Sequence, residues 1–232
     1  MRIADIELVG ELPMFARMEQ EHFDALMQVA YLQQFPPQLQ LFAEGDHADF
    51  LHVLIEGRVE IFATTGARET TMFVANPVST FILAAVLKDA VHLMSARTIE
   101  KSRLLLIPSS DLRTALENDA AFARSILLDL ATNYRNVVKA LKDQKLRTSL
   151  ERLANHLLRL DVIQGGSGRI VLPIDKKTLA SLLGMTPENL SRAFNNLAAY
   201  GVIVDGPQIT LSKPEDLRRL AKPHALIDDP AT

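Results

Sequence analysis

The sequence predicts an α+β chain: a β-roll of jelly-roll type, then one long amphipathic helix, then a small helical domain closed by a hairpin. Three observations predict it. Short β-rich runs broken by turn residues fill the stretch from Tyr31 to Ile107. Apolar residues then recur every three or four positions, and the last third alternates short helical and strand patterns around glycines.

Size and composition fit this division. The chain has 232 residues, 48% of them hydrophobic and 23% charged, which suits one or two domains and excludes global disorder. It has no cysteine, so a disulfide framework, a zinc–thiolate site, an iron–sulfur cluster and a thiol switch are all excluded. The net charge of −3 hides a split, with −7 over residues 1–138 and +4 over residues 139–232. Such asymmetry is expected of two parts with different partners. The N-terminus shows no signal-peptide pattern, and the longest plain apolar run, residues 81–87, is far too short to span a bilayer. The expectation is a cytoplasmic protein with no membrane partner.

The elements follow in order. Residues 10–31 read as one or two amphipathic helices anchored by Leu12, Met14, Phe15, Phe23, Leu26 and Met27. Strand patterns cover 39–43, 50–56, 59–63, 70–74, 94–99 and 103–107, with Pro36-Pro37, Glu44-Gly45-Asp46, Glu56-Gly57-Arg58, Thr65-Gly66 and Asn76-Pro77 between them. Pro108 ends the last strand, and Ser109 or Ser110 is placed to cap a helical pattern that runs to about Lys145. Within it Leu127, Leu130, Tyr134, Val137 and Leu141 form an a/d seam, while Asp129, Arg135, Lys139 and Lys142 lie opposite. The seam suits either packing on its own domain or pairing with a second copy. Thr148-Ser149-Leu150-Glu151 is a capping-box pattern that starts a new helix. The boundaries expected are 1–118 for an effector-sensing roll with its N-terminal helices, 119–147 for a dimerisation helix, 148–222 for the C-terminal domain and 223–232 for a flexible tail.

The C-terminal domain carries the clearest chemistry. Asp175 caps a short helix, Gly184-Met185-Thr186 makes a turn, Thr186 and Pro187 open a second helix, and residues 202–211 form a hairpin. This is the order of a winged helix-turn-helix. With Leu190, Phe194 and Leu197 packed inward, Thr186, Glu188, Asn189, Ser191, Arg192 and Asn195 face outward. That set suits a major groove: Arg donates twice to guanine, Glu accepts from cytosine N4, and Ser or Asn adds base or phosphate bonds. Lys176 and Lys177, at the start of the preceding helix, suit phosphates. A helical subdomain with an ordinary polar surface is the plainer alternative. The local positive charge and the tight turn favour double-stranded DNA.

These motifs resemble the Crp/Fnr family of bacterial transcription regulators along nearly the whole chain. Phe42-x-Glu44-Gly45-Asp46 with Leu54-Ile55-Glu56-Gly57-Arg58-Val59-Glu60 is similar to the glycine pattern of the cyclic-nucleotide-binding roll. Arg152-Leu153-Ala154 resembles the start of the family's DNA-binding domain, and Glu188-x-x-Ser191-Arg192 resembles the recognition helix of its fumarate–nitrate-reduction branch. The resemblance implies a homodimer paired through the long helix and an operator of the TTGAT…ATCAA type, with two recognition helices one duplex turn apart. It also implies that Arg192 and Glu188 read a G·C pair, that Ser191 touches a neighbouring base, that Thr186 and Lys177 hold phosphate, and that RNA polymerase is a partner.

The roll departs from the family. Nucleotide-binding members carry Phe-Gly-Glu for the ribose and Arg-Ser/Thr-Ala for the cyclic phosphate; here the matching positions are Phe81-Ile82-Leu83 and Met94-Ser95-Ala96. A phosphate buried against Leu83 and Met94 has no cation to offset its desolvation, so no cyclic AMP is expected. Phe81, Ile82, Leu83, Val86, His92 and Met94 would make the pocket apolar: a filled core, or a site for a small apolar or acidic effector. Haem is a further possibility, with His92 or Met94 as axial ligand if the two lie two apart on a strand and point the same way. The carbon-monoxide-sensing histidine of the family falls at Ala84 and does not carry over. Titration of His47, His52 or His92 is another sensing mode. Residues 81–87 with 93–96 also resemble the FtrB-type activators. Enzyme chemistry is not expected, since no nucleophile–base pair stands at a usable spacing and Gly165-Gly166-Ser167-Gly168 precedes a strand rather than opening a helix.

Overall fold

The computed structural model describes residues 3–229 and divides into two compact units, residues 1–134 and 135–232. Met1, Arg2 and the tail residues 230–232 lie outside the described residues.

The first unit opens with helices α1 (Ile3–Gly10) and α2 (Gln20–Val29). Strands β1 (Tyr31–Phe35), β2 (Gln40–Phe42), β3 (Phe50–Glu56), β4 (Val59–Thr65), β5 (Arg68–Ala75) and β6 (Ser79–Phe81) follow. Helix α3 (Leu83–Lys88), strands β7 (Ser95–Thr98) and β8 (Ser102–Pro108), and helix α4 (Ser109–Asn118) complete the roll. Two antiparallel four-stranded sheets, ordered β1-β8-β3-β6 and β2-β7-β4-β5, face each other. Strand parity sorts the side chains. Leu54 of β3 and Leu104 of β8 point between the sheets, where they join Phe42, Val59, Ile61, Ala75, Phe81 and Ala96. Leu51, Val53 and Ile55 of β3, with Leu105 and Ile107 of β8, point the other way onto the helices. Gly57 (φ +88°) makes the β3–β4 turn, and a Cβ there would meet the backbone of Lys101 at 2.6 Å, so no other residue fits.

The sequence pattern misplaced four features of this half. Residues 11–18 form turns between α1 and α2 rather than helix, and Tyr31–Phe35 is an edge strand paired with β8. The helical pattern after Pro108 is two helices, because Asp119 interrupts it. Its carboxylate, 2% exposed, accepts from the N–H groups of Phe122 and Glu19, each at 2.8 Å, and so caps the next helix, α5 (Ala120–Leu146). Neither Ser109 nor Ser110 caps α4, whose N-cap is Pro108 without a side-chain bond.

After α5, the second unit contains α6 (Ser149–Ile163), β9 (Arg169–Val171), α7 (Lys176–Leu182) and α8 (Pro187–Leu197). One 3-10 turn precedes strands β10 (Val202–Asp205) and β11 (Gln208–Leu211), and helices α9 (Pro214–Ala221) and α10 (Ala225–Asp228) close the chain. The strands form one antiparallel sheet ordered β10-β11-β9. Thr148 and Glu151 make the reciprocal capping box that the sequence predicts. Residues 223–229 are not the flexible tail expected. Asp228 accepts from both terminal nitrogens of Arg147 and from Arg159 at 2.8 Å, while Arg147 also pairs with Asp143 at 2.7 Å. Lys139 donates to the Asp229 carbonyl at 2.7 Å. A run of Asp residues near a chain end reads as solvated; these partners come from α5 and α6, far away in sequence.

Candidate nucleic-acid interface and roll interior

The recognition helix is built by its caps and its core. Burial pushes the Asp175 carboxyl up, but hydrogen bonds from Thr178 and Lys177 outweigh it and hold it below the usual range. Ionised, it accepts from the N–H groups of Lys177 and Thr178 at 2.8 and 2.9 Å and caps α7. The Thr186 hydroxyl accepts from the Asn189 N–H at 3.2 Å, with Pro187 in the first position of α8. Leu190, Ala193, Phe194 and Leu197 are buried, which fixes the rotation of α8. Glu188, Asn189, Ser191, Arg192 and Asn195 are consequently all exposed on the other side.

Two of these side chains are already oriented. Arg192 donates from Nη2 to Asn189 Oδ1 at 3.0 Å, so the guanidinium lies along the helix with its other donors open. The Glu188 carboxyl is held below the usual range by its own backbone N–H and the Thr186 hydroxyl, with Arg192 adding to the effect. It is therefore an acceptor at neutral pH. Lys177 is exposed at the start of α7 beside its capped N-terminus; Lys176 instead sets its ammonium 5.8 Å from the Phe194 ring centroid. The exposed hairpin tip carries Asp205 and Gln208 rather than cations, so positive charge sits on the helices.

Two supporting contacts escape sequence reasoning. Arg152 is 8% exposed; its Nε donates to the Leu183 carbonyl at 3.0 Å and its Nη1 to the Arg147 carbonyl at 2.8 Å, tying α6 to the end of α7. Gly184, at φ +65°, lies against Gln144, whose amide oxygen would be 2.9 Å from an added Cβ. A charge and an amide at helical spacing look like surface until their partners are known.

On α5 the seam residues Leu127, Tyr134, Val137 and Leu141 are 63, 70, 65 and 56% exposed. Leu130 instead packs on the first unit's core. The exposed stripe passes through Ala131 and Val138, one position beyond Leu130 and Val137. Asp129, expected on the solvent side, accepts a hydrogen bond from Thr80.

Inside the roll, the positions where nucleotide-binding relatives carry charge are apolar and occupied. Ile82 adopts φ +66°, a left-handed conformation at the place of the family's glycine, and α3 begins immediately after it. Leu83 and Val86 turn into the helical core, and Phe81 into the space between the sheets. Arg97 does not replace the missing phosphate ligand. Lying on the opposite face from Ala96, it donates to Glu60 at 2.8 Å and to Glu69 at 3.1 Å, beside the Phe62 ring. His92 and Met94 do not share a strand. They sit on a bend before β7, with His92 buried and Met94 half-buried against the interior cluster.

His92 stacks on Phe42 with ring centroids 4.0 Å apart, and His52 lies 5.1 Å from Phe42 and 5.4 Å from Phe81. Burial pushes both imidazoles down, His52 to about 4 with His92 adding to its shift. Each buries an Nδ1 with no hydrogen-bond partner. That nitrogen of His92 is chemically suited to iron. The room is not: a porphyrin beside it would have to displace Phe42, so these residues as packed do not fit haem. His47 is half-exposed and pairs with Asp49 at 3.0 Å. Among the described residues no cluster of three or more His, Asp or Glu could hold a metal ion, and no helix is long and apolar enough to cross a membrane.

A roll of two antiparallel sheets, a long helix and a helix-turn-helix with a three-stranded wing define a DNA-binding transcription regulator, not an enzyme. Residues 32–119 match the cyclic nucleotide-binding domain, and residues 151–220 match the Crp-like helix-turn-helix domain. With both, the chain belongs to the Crp/Fnr family of regulators. It is similar to the CRP-like cAMP-activated global transcriptional regulator of Mycobacterium tuberculosis, 25% identical over 93% of this chain and 99% of the relative. It is also similar to the nitrogen fixation regulation protein FixK of Rhizobium meliloti, 26% identical over 80% of this chain and 85% of the relative. The structure of FixK2 from Bradyrhizobium japonicum shares the fold, with a TM-score of 0.73 and 24% identity, covering 85% of this chain and all of that one.

Proposed function

We propose that this regulator binds a palindromic operator as a homodimer paired along α5, reading a G·C pair in each half-site with Arg192 and Glu188. The observation that carries the reading is the outer face of α8, where an ionised Glu188 and an Asn189-braced Arg192 stand one helical turn apart above a rigid apolar base. Ser191 adds a neighbouring base contact, while Thr186 and Lys177 hold phosphates. The exposed apolar stripe of α5 supports pairing with a second copy, which would place two recognition helices on half-sites one duplex turn apart. RNA polymerase is the further partner that the family membership supports.

The roll interior takes neither cyclic AMP nor haem. The Mycobacterium tuberculosis relative is cAMP-activated by its name, but here Leu83 and Met94 stand where a nucleotide needs a carboxylate and a guanidinium, and Phe42, His52, Phe81 and His92 fill the space between.

A gel-shift titration on a TTGAT…ATCAA duplex tests the reading. Arg192→Ala should weaken operator binding by about 1–3 kcal/mol while leaving binding to unrelated duplex nearly unchanged. Lys177→Ala should weaken both and lower the salt dependence by about one counterion. Equal operator affinity in wild type and Arg192→Ala would sink the assignment.

A further inference from the structure

The first unit has a cleft that the nucleotide-binding region does not explain. About 660 Å³ lies outside the roll, between the turns joining α1 to α2, the start of β6 and the N-terminal half of α5. This is within the roughly 300–1,000 Å³ range of small-molecule sites. Its walls are apolar, with Met14, Val78 and Leu128 among them, and the Thr80–Asp129 hydrogen bond contributes a polar patch. Arg17 and Arg124, from the turns and from α5, both line it. Both are exposed, and among the described residues neither has an acidic partner. This half is acidic overall, with a net charge of −7 over residues 1–138, so two such guanidinium groups at one apolar cleft form a local site for negative charge.

The geometry points to this cleft as the effector site, taking a small organic anion with an apolar body, an alkyl or aryl carboxylate. The anionic group pairs with Arg17 and Arg124, the body lies along Leu128, Met14 and Val78, and a ligand hydroxyl, if present, reaches Asp129. Such a ligand touches α5 directly at Arg124 and Leu128, next to the exposed Leu127 that begins the apolar stripe. Occupancy would therefore bias the helix on which pairing depends. What the ligand controls rests on the regulator reading; whether the cleft binds an anion does not.

The test uses the full-length chain with 1-anilinonaphthalene-8-sulfonate as fluorescent probe and decanoate or decanol as competitor. Decanoate is expected to displace the probe at least about tenfold more effectively than decanol, since only the anion gains the two guanidinium contacts. The double variant Arg17→Gln/Arg124→Gln should lose that preference. Ala121→Phe, which fills the cleft from the exposed first turn of α5, should weaken displacement by decanoate to a similar degree. Circular dichroism checks that both variants fold, and both should keep ligand-free operator binding. No displaceable probe, equal displacement by decanoate and decanol, or displacement unchanged in Ala121→Phe would overturn the proposal. Failure of wild-type protein to select the operator would instead overturn the regulator reading and leave the anion site standing.

Discussion

At the scale of single residues, Ile82 shows how a family position can change its chemistry and keep its backbone. A β-branched residue at φ +66° is an outlier that costs on the order of 1–3 kcal/mol. It persists because the chain must leave β6 and enter α3 there, with Phe81 and Leu83 buried on either side. Ile82→Gly should therefore change stability by less than about 1 kcal/mol, because relief of backbone strain offsets the lost apolar contact. Leu83→Ala, next door and 2% exposed, should cost about 2–5 kcal/mol. Urea unfolding of the two variants gives the comparison; equal losses would mean that the left-handed backbone is not strained. The apolar character of this segment was legible in the sequence. Which residue faced which core was not, because the turn at Ile82 breaks the alternation on which such assignments depend.

At the scale of elements, β3 carries the clearest pH response. His52 lies between the sheets, neutral, and burial pushes its pKa down from 6.5 to about 4, with nearby His92 adding to the effect. The unfolded chain takes up its proton first, so the stability that His52 confers is full above about pH 6.5 and is lost as pH falls towards 4. The loss reaches about 3 kcal/mol for a shift of this size. His92 is shifted in the same direction and steepens the slope. Unfolding free energies measured between pH 6.5 and 4 should fall, and His52→Phe should flatten the fall; an unchanged slope would show that His52 is not the group responsible. The sequence named His52 and His92 as titration candidates but could not place them. Position 52 alternates correctly with Leu54 to face inward, yet a histidine in a strand reads as readily for solvent as for core.

At the scale of the whole molecule, pairing along α5 is the property from which operator symmetry follows. Tyr134→Glu combined with Leu141→Glu places two charges on the exposed stripe and should weaken self-association by at least about 2 kcal/mol, measured by sedimentation. Operator affinity should fall with it although Arg192 is intact. A double variant that still sediments as wild type would remove α5 as the interface.

Much of this architecture was legible in the sequence: the capping box at Thr148, the caps at Asp175 and Thr186, six of the eight strands of the roll and the glycine turns are local signals, while β1 and β6 were not read. The charge split and the exposed face of α8 follow from spacing alone, because buried Leu190, Phe194 and Leu197 leave Glu188, Ser191 and Arg192 only one side to occupy. The rest depended on contacts between distant residues. Asp119 breaks a continuous helical pattern by binding Glu19; Asp228 orders the chain end by pairing with Arg147 and Arg159; Phe42 and His92, fifty residues apart, close the roll interior by stacking. Local propensity and periodicity determine which elements form, since those energies act within a few residues. Only tertiary structure decides which polar groups find partners and which spaces are filled, because those energies depend on neighbours that the sequence does not place side by side.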